Sequence, residues 1–219
     1  MTTLLIAEAA LETVPRELGR HPSVASHARR LGRDPQDLLL DNSWHYAAMK
    51  GLPGAAKRGR PDLVHHALLE ATSTPMYAAG RLDVLVHTVH DRLIRLGAGV
   101  RLPRSYHRFA GLASKLFREG RVSSGSVLLE ISESDVRGAL DGVGPSSVAA
   151  LSPGGTRSTY REVASGLDDD SCIIVGGFQR GEFSAATLAA AGPLVSVEDE
   201  PVEAHVVISR ILYECEQAR

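Results

Sequence analysis

The chain has little cysteine: Cys172 and Cys215 are the two in 219 residues. Neither sits in a CxxC or Cys/His cluster of zinc-binding spacing, and two isolated thiols make no disulfide framework. They read as small apolar core residues in a reducing compartment. Long apolar runs are missing too, for no segment reaches the ~18 residues that read as a membrane span. Residues 1–10 lack a basic start and are interrupted by Glu8, so they do not read as a signal peptide. The expectation is a cytoplasmic protein with no membrane partner. An excess of charge of one sign is also missing. The 24 basic and 26 acidic residues leave a net charge of −2, so any nucleic-acid surface must be a local patch. Phosphate-binding signatures are absent. Gly181 is followed by Glu182 rather than Lys-Ser or Lys-Thr, and GxGxxG spacing does not occur. A P-loop NTPase and a dinucleotide-binding dehydrogenase are thereby excluded.

What is present is ordinary soluble composition, 43% apolar and 23% charged, in a chain long enough to bury one good-sized core. No repeat or low-complexity tract interrupts it. Short apolar runs predict strands at residues 4–7, 38–40, 82–88, 93–96, 127–131, 148–151, 172–175 and 194–197. Helical periodicity falls between most of them. One helix is expected after Ser23, whose hydroxyl can cap it, and one from Pro61 to about residue 72. Another runs from Tyr106 to about residue 117 with Ser105 as its cap. A last one starts at Pro201. Alternating strands and helices argue for an α/β layer fold with a largely parallel sheet flanked by helices.

Three constellations carry possible chemistry. The strand 172–175 runs into Gly176-Gly177-Phe178-Gln179-Arg180-Gly181. Glycines there let the backbone approach a ligand, or they make a tight turn. The apolar segment Leu194-Val195-Ser196-Val197-Glu198-Asp199 could hold a flat adenine, or be a strand leaving a sheet. Arg58 and Arg60 close a basic loop, and Arg101, Arg104 and Arg108 open a helix. Guanidinium is planar, permanently charged and forked, which suits phosphates and bases, so the grouped arginines point to an anionic partner. Asp62 falls in the first turn of its helix, where the dipole favours a carboxylate and where it can clamp Arg60. The HxxH of His87 and His90 crosses a strand end without an acidic ligand cluster, so no metal is expected.

Longer motifs add a resemblance. Leu40-Asp41-Asn42-Ser43-Trp44-His45, Arg60-Pro61-Asp62-Leu63-Val64-His65, Val86-His87-Thr88 and the run Arg101-Leu102-Pro103-Arg104-Ser105-Tyr106-His107-Arg108-Phe109-Ala110-Gly111-Leu112 resemble the pseudouridine N1-specific ribosomal RNA methyltransferases of the SPOUT class. The likeness continues through 175–183 and 195–210 and spans nearly the whole chain. It implies a single SPOUT domain over 1–219 with a C-terminal trefoil knot, a rare exception to normal topology. It implies an RNA-binding basic region at about 50–110 and a cofactor-binding knot at about 150–219. S-adenosylmethionine would lie against Leu151, Ser152, Gly176, Gly181, Leu194, Val195, Ser196, Val197, Glu198 and Asp199. Small-subunit ribosomal RNA would meet Arg60, Arg101, Arg104 and Arg108, with Arg60 and Asp62 as the catalytic pair. A homodimer is implied, with small-subunit ribosomal proteins as further partners. The activity implied is methylation of ring nitrogen 1 of a pseudouridine during small-subunit biogenesis. Two alternatives stay open: a methyltransferase of this class with another target nucleotide, and a non-catalytic assembly factor that binds ribosomal RNA. The chain departs from the family at Gln179-Arg180-Gly181-Glu182, where Pro-His-Gly-Asp is common, while the separation of the two glycines is kept.

Overall fold

The first strand, β1 (Thr2–Ala9), is buried at every position. A strand without alternation needs cover on both faces, which belongs at the centre of an α/β sheet. The computed structural model, which describes residues 1–200 and 202–218, puts it there. After β1 come α1 (Pro22–Leu31), α2 (Asn42–His45), α3 (Pro61–Thr72), α4 (Pro75–Ala78), β2 (Leu82–Thr88), β3 (Arg92–Leu96), α5 (Tyr106–Glu119), β4 (Arg121–Ser124) and β5 (Ser126–Glu133). The chain continues through α6 (Val136–Val143), β6 (Val148–Arg157), α7 (Tyr160–Ser165), β7 (Cys172–Gly176), α8 (Ala185–Ala191), β8 (Leu194–Ser196) and α9 (Ala204–Gln217).

One sheet holds the strands in the order β4-β5-β3-β2-β1-β7-β6-β8. Its β2-β1-β7-β6-β8 portion is parallel. The β2–β3 hairpin starts an antiparallel wing that β5 and β4 complete. β4 escapes the sequence pattern because only Val122 of its residues is buried. Neighbouring residues of a strand face opposite ways. Leu4 and Ile6 therefore join the core under α3, α5 and α9, while Leu5 and Ala7 join the one under α6 and α8. Cys215 is buried in the first core and Cys172 in the second, where burial pushes its thiol up to about 12. No helix among the described residues is long and apolar enough to cross a membrane.

Three local expectations are corrected. Leu38-Leu39-Leu40 is not a strand of the sheet: Leu39 makes an isolated bridge to Thr13, and Leu38 and Leu40 pack with Val24, Ala28 and Met49. A run of three apolar residues reports burial but not its geometry. Ser23 does not cap its helix. α1 starts two residues earlier, at Pro22, and the His21 ring accepts from the Ser23 N–H at 3.3 Å. Ser105 occupies the N-cap position of α5, but its hydroxyl accepts no capping hydrogen bond. Pro201 lies outside the described residues; the last helix runs Ala204–Gln217.

The junction of α1 and α2 contains a fully buried histidine, His45. Its Nδ1 accepts the Asp41 N–H at 3.1 Å, so the proton of the neutral ring is on Nε2 and donates to His27 Nδ1 at 3.0 Å. Burial, then the neighbouring His27, push His45 down to about 4. The unfolded chain binds a proton near pH 6.5 that the folded chain refuses, so this site stabilises above pH 6.5 and the contribution is lost as pH falls toward 4. Urea unfolding at pH 5 is expected to show about 2 kcal/mol less stability from this site than at pH 7.5. His45→Gln should flatten that slope. An equally steep profile in the variant would assign the loss to other groups.

Candidate cofactor and RNA site

The C-terminal ends of β1, β7 and β6 meet at the glycine turn. The Gly177 N–H donates to the Ala7 carbonyl and the Ala10 N–H to the Gly177 carbonyl, both at 2.8 Å. A Cβ on Gly177 would lie 2.7 Å from the Ala9 Cα, so close backbone approach, not turn geometry alone, demands glycine there. Gly181 has a φ of +109°, a conformation that side chains disfavour. The far side of the turn is held by Lys57. Its Nζ donates to Glu8 Oε2 at 2.6 Å and to the Glu182 carbonyl, and lies 4.4 Å from the Phe178 ring centre. Glu8 also accepts the Ser184 N–H at 2.8 Å. Burial alone would raise the Glu8 carboxyl, but Lys57 and the hydrogen bonds at the Ser184–Thr187 turn outweigh it and hold it below its ordinary value. The basic loop before α3 and the glycine turn are thus tied by a partly buried ion pair.

Inside this arrangement is a cavity of about 360 Å³. Leu151 and Ser152 of β6, Gly176, Gly181, and the segment Ser196, Val197 and Glu198 line it. Leu194, Val195 and Asp199 lie outside the lining. Leu194 and Val195 pair with β6, and Asp199 turns to Arg157 at 3.0 Å. Gly155 permits that pairing, since a Cβ there would meet the Leu194 backbone carbon at 2.5 Å. Glu198 accepts from the Tyr160 hydroxyl at 2.7 Å and from Arg210. The tyrosine bond, then Arg210, hold its carboxyl below the usual range against the opposing effect of burial. Sequence reasoning missed Phe178, Phe183, Ala204 and Val207 as lining residues. The phenylalanines flank Gly181, a usable local signal, while Ala204 and Val207 arrive through the docking of α9. Apolar walls with exposed backbone at one rim suit a flat heterocycle whose polar edge is read by main-chain groups.

Arg60 and Leu63 bring the start of α3 to the same cavity. Arg60 is the N-cap residue, and its Nε and Nη2 donate to Asp62 Oδ1 and Oδ2 at 2.8 and 2.7 Å. Such a two-point contact fixes the plane of the guanidinium. Burial would raise Asp62, yet the Arg60 hydrogen bonds and charge prevail and depress it. Asp62 is therefore a carboxylate at neutral pH and a poor proton acceptor. Arg58 behaves differently from the other grouped arginines. It turns inward, donating from Nε to Glu12 Oε1 at 2.7 Å, and His90 Nε2 lies 2.8 Å from Glu12 Oε2. Glu12 is buried, so Arg58 is spent inside the protein. Arg101, Arg104 and Arg108 are exposed and make no ion pair with a described residue. Among the described residues no group of three or more His, Cys, Asp or Glu is placed to hold a metal.

A family model described as EMG1/NEP1 methyltransferase matches residues 4–216. The ribosomal RNA small subunit methyltransferase Nep1 of Thermococcus kodakarensis is 37% identical over 220 residues, covering 100% of this chain and 99% of that protein. The protein of that name from Archaeoglobus fulgidus is 38% identical over 221 residues, with 100% and 97% coverage. The crystal structure of Archaeoglobus fulgidus Nep1 bound to S-adenosylhomocysteine superposes with a TM-score of 0.89 at 35% identity, over 99% of this chain and 98% of that one.

Proposed function

Because the chain belongs to the EMG1/NEP1 methyltransferase family, we propose that it methylates small-subunit ribosomal RNA from S-adenosylmethionine, at ring nitrogen 1 of a pseudouridine. The observation that carries the reading is that Arg60, held by Asp62, lines the glycine-lined cavity. The cavity fits the cofactor on this chain's own terms. Val197, Leu151 and Val207 offer apolar walls, and Gly176 and Gly181 leave main-chain groups within reach. When bound, the cofactor supplies an electrophilic methyl group.

The residues of the chain do the rest. Pseudouridine joins its sugar through carbon, which leaves a ring N–H that uridine lacks. As that nitrogen gives up its proton to solvent water and attacks, negative charge spreads by conjugation to the ring carbonyls. Arg60 holds a fixed cation at the cavity wall, and Asp62 sets its direction without acting as the base. A preorganised donor of this kind is typically worth ~3 kcal/mol in the transition state. Arg101, Arg104 and Arg108 bind the RNA backbone, and the target base leaves its stack to enter the site. The same reading includes the trefoil knot through β6, β7 and β8, a working homodimer, small-subunit ribosomal proteins as neighbours and a cytoplasmic setting.

Calorimetric titration with S-adenosylmethionine, followed by methyl incorporation into a hairpin containing one pseudouridine, tests it. Cofactor binding and transfer to pseudouridine but not to a uridine control is the expected result. Transfer to another nucleotide would keep the family chemistry and overturn the target. Hairpin binding without cofactor binding would instead support a non-catalytic assembly factor.

A further inference from the structure

A second cavity, of about 350 Å³, opens between α1, α2 and the first half of α5. One wall is a stack. The His27 ring lies parallel to Trp44 with centroids 4.7 Å apart and 19° between planes, and the Arg30 guanidinium carbon is 4.9 Å from the Trp44 centroid. The opposite wall is α5, with His107 and with Arg33 passing over Gly111. Because His45 donates to His27 Nδ1, the His27 proton is on Nε2, a donor not used by any described residue. The lining holds one carboxylate, Asp41, and it already accepts from the Ser43 N–H at 2.9 Å and from the Tyr106 hydroxyl.

We propose that this cavity binds a single-stranded RNA nucleotide flanking the methylated base, stacking the base against the Arg30–Trp44–His27 wall and holding its phosphate with Arg33 and His107. The inference rests on the ribosomal RNA reading and extends it to a second nucleotide site.

Four features select RNA. Arg29, Arg30 and Arg33 are exposed and, like Arg104 and Arg108, make no ion pair with a described residue, so a basic field crosses from α5 onto α1. A cavity walled by guanidinium and aromatic planes takes a π-face, and such stacking tolerates any base. The imidazole and guanidinium N–H groups around it are donors, as a phosphate requires. The cavity also adjoins the first site: the Asn42 N–H, at the start of α2, donates to the Gly59 carbonyl at 2.9 Å, immediately before Arg60. An acidic peptide would satisfy the arginines but leave the planar wall without a use.

Trp44 is the chain's one tryptophan, so its emission reports this cavity alone. Titrating the full-length protein with the pseudouridine hairpin should quench Trp44 saturably, with the midpoint found for RNA binding by a filter or mobility assay. Arg30→Ala with Arg33→Ala should weaken hairpin binding about tenfold and lower the slope of log Kd against log salt by roughly 0.7, the value for the one single-strand phosphate contact that Arg33 makes. Affinity for S-adenosylmethionine should not move. Arg104→Ala, run alongside, separates the two readings. If Arg104→Ala weakens binding while the double variant does not and Trp44 stays silent, the flanking site is overturned and the RNA reading stands. If the hairpin is not bound at all, the RNA reading itself fails. Quenching by an acidic peptide but not by RNA would assign the cavity to a protein partner and overturn the proposal.

Discussion

Arg60→Ala should lower single-turnover methyl transfer by roughly 100- to 1,000-fold, with Kd for the cofactor changed by much less. The magnitude is that of one donor removed from a preorganised charge-stabilising site. The split follows from where the charge appears. The guanidinium is aimed by two hydrogen bonds of 2.8 and 2.7 Å to Asp62, and in the proposed reaction it meets negative charge only as the nucleophile forms. Arg60→Lys should recover little, because an ammonium lacks the fork that Asp62 holds. Asp62→Asn keeps the shape but removes the charge that orients Arg60, so an intermediate loss of about tenfold is expected. Rapid-quench measurement with excess enzyme isolates the chemical step. An unchanged rate in Arg60→Ala would remove this residue from the mechanism. A loss confined to RNA affinity, with the rate at saturation intact, would make Arg60 a binding residue only.

Gly177→Ala should damage the proposed cofactor site through the backbone. The added Cβ would fall 2.7 Å from the Ala9 Cα and 2.8 Å from the Ile6 Cγ2. The nearest of these is main chain of the central strand, which cannot rotate aside. Overpacking of this kind costs about 1–3 kcal/mol. The turn must either lift off β1, losing its two 2.8 Å hydrogen bonds, or push β1 itself. Lifting carries Gly176, Phe178 and Gly181 with it, and these line the cavity. Thermal unfolding should fall by about 4–8 °C at a cost of about 2 kcal/mol, and cofactor affinity by about tenfold or more. Gly154→Ala is the control, since a Cβ there meets nothing within 4 Å. If Gly177→Ala binds the cofactor as the parent does, the turn is not held to β1 as the hydrogen bonds indicate.

Much of this molecule is legible along the chain. Apolar runs located seven of the eight strands. They also placed Pro61 and Tyr106 at the first residues of their helices. The glycines at 176 and 181 marked the turn, and the spacing of Arg60 and Asp62 across Pro61 foretold their pairing. These are local properties: strand burial, turn conformation and side chains two residues apart are dictated by neighbours in sequence. Tertiary structure decided what depends on groups brought from far away. Arg58 looked equivalent to Arg60, yet Glu12, 46 residues distant, draws it inside. The segment 194–199 reads as one candidate ligand segment in sequence, but only Ser196, Val197 and Glu198 line the cavity, while Leu194 and Val195 lie outside it and Asp199 turns to Arg157. Lys57 reads as one more basic loop residue until Glu8 and the Glu182 carbonyl converge on it. A long charged side chain has many rotamers of similar energy, so its direction is set by the countercharge the fold delivers, and that information is not written in its own neighbourhood.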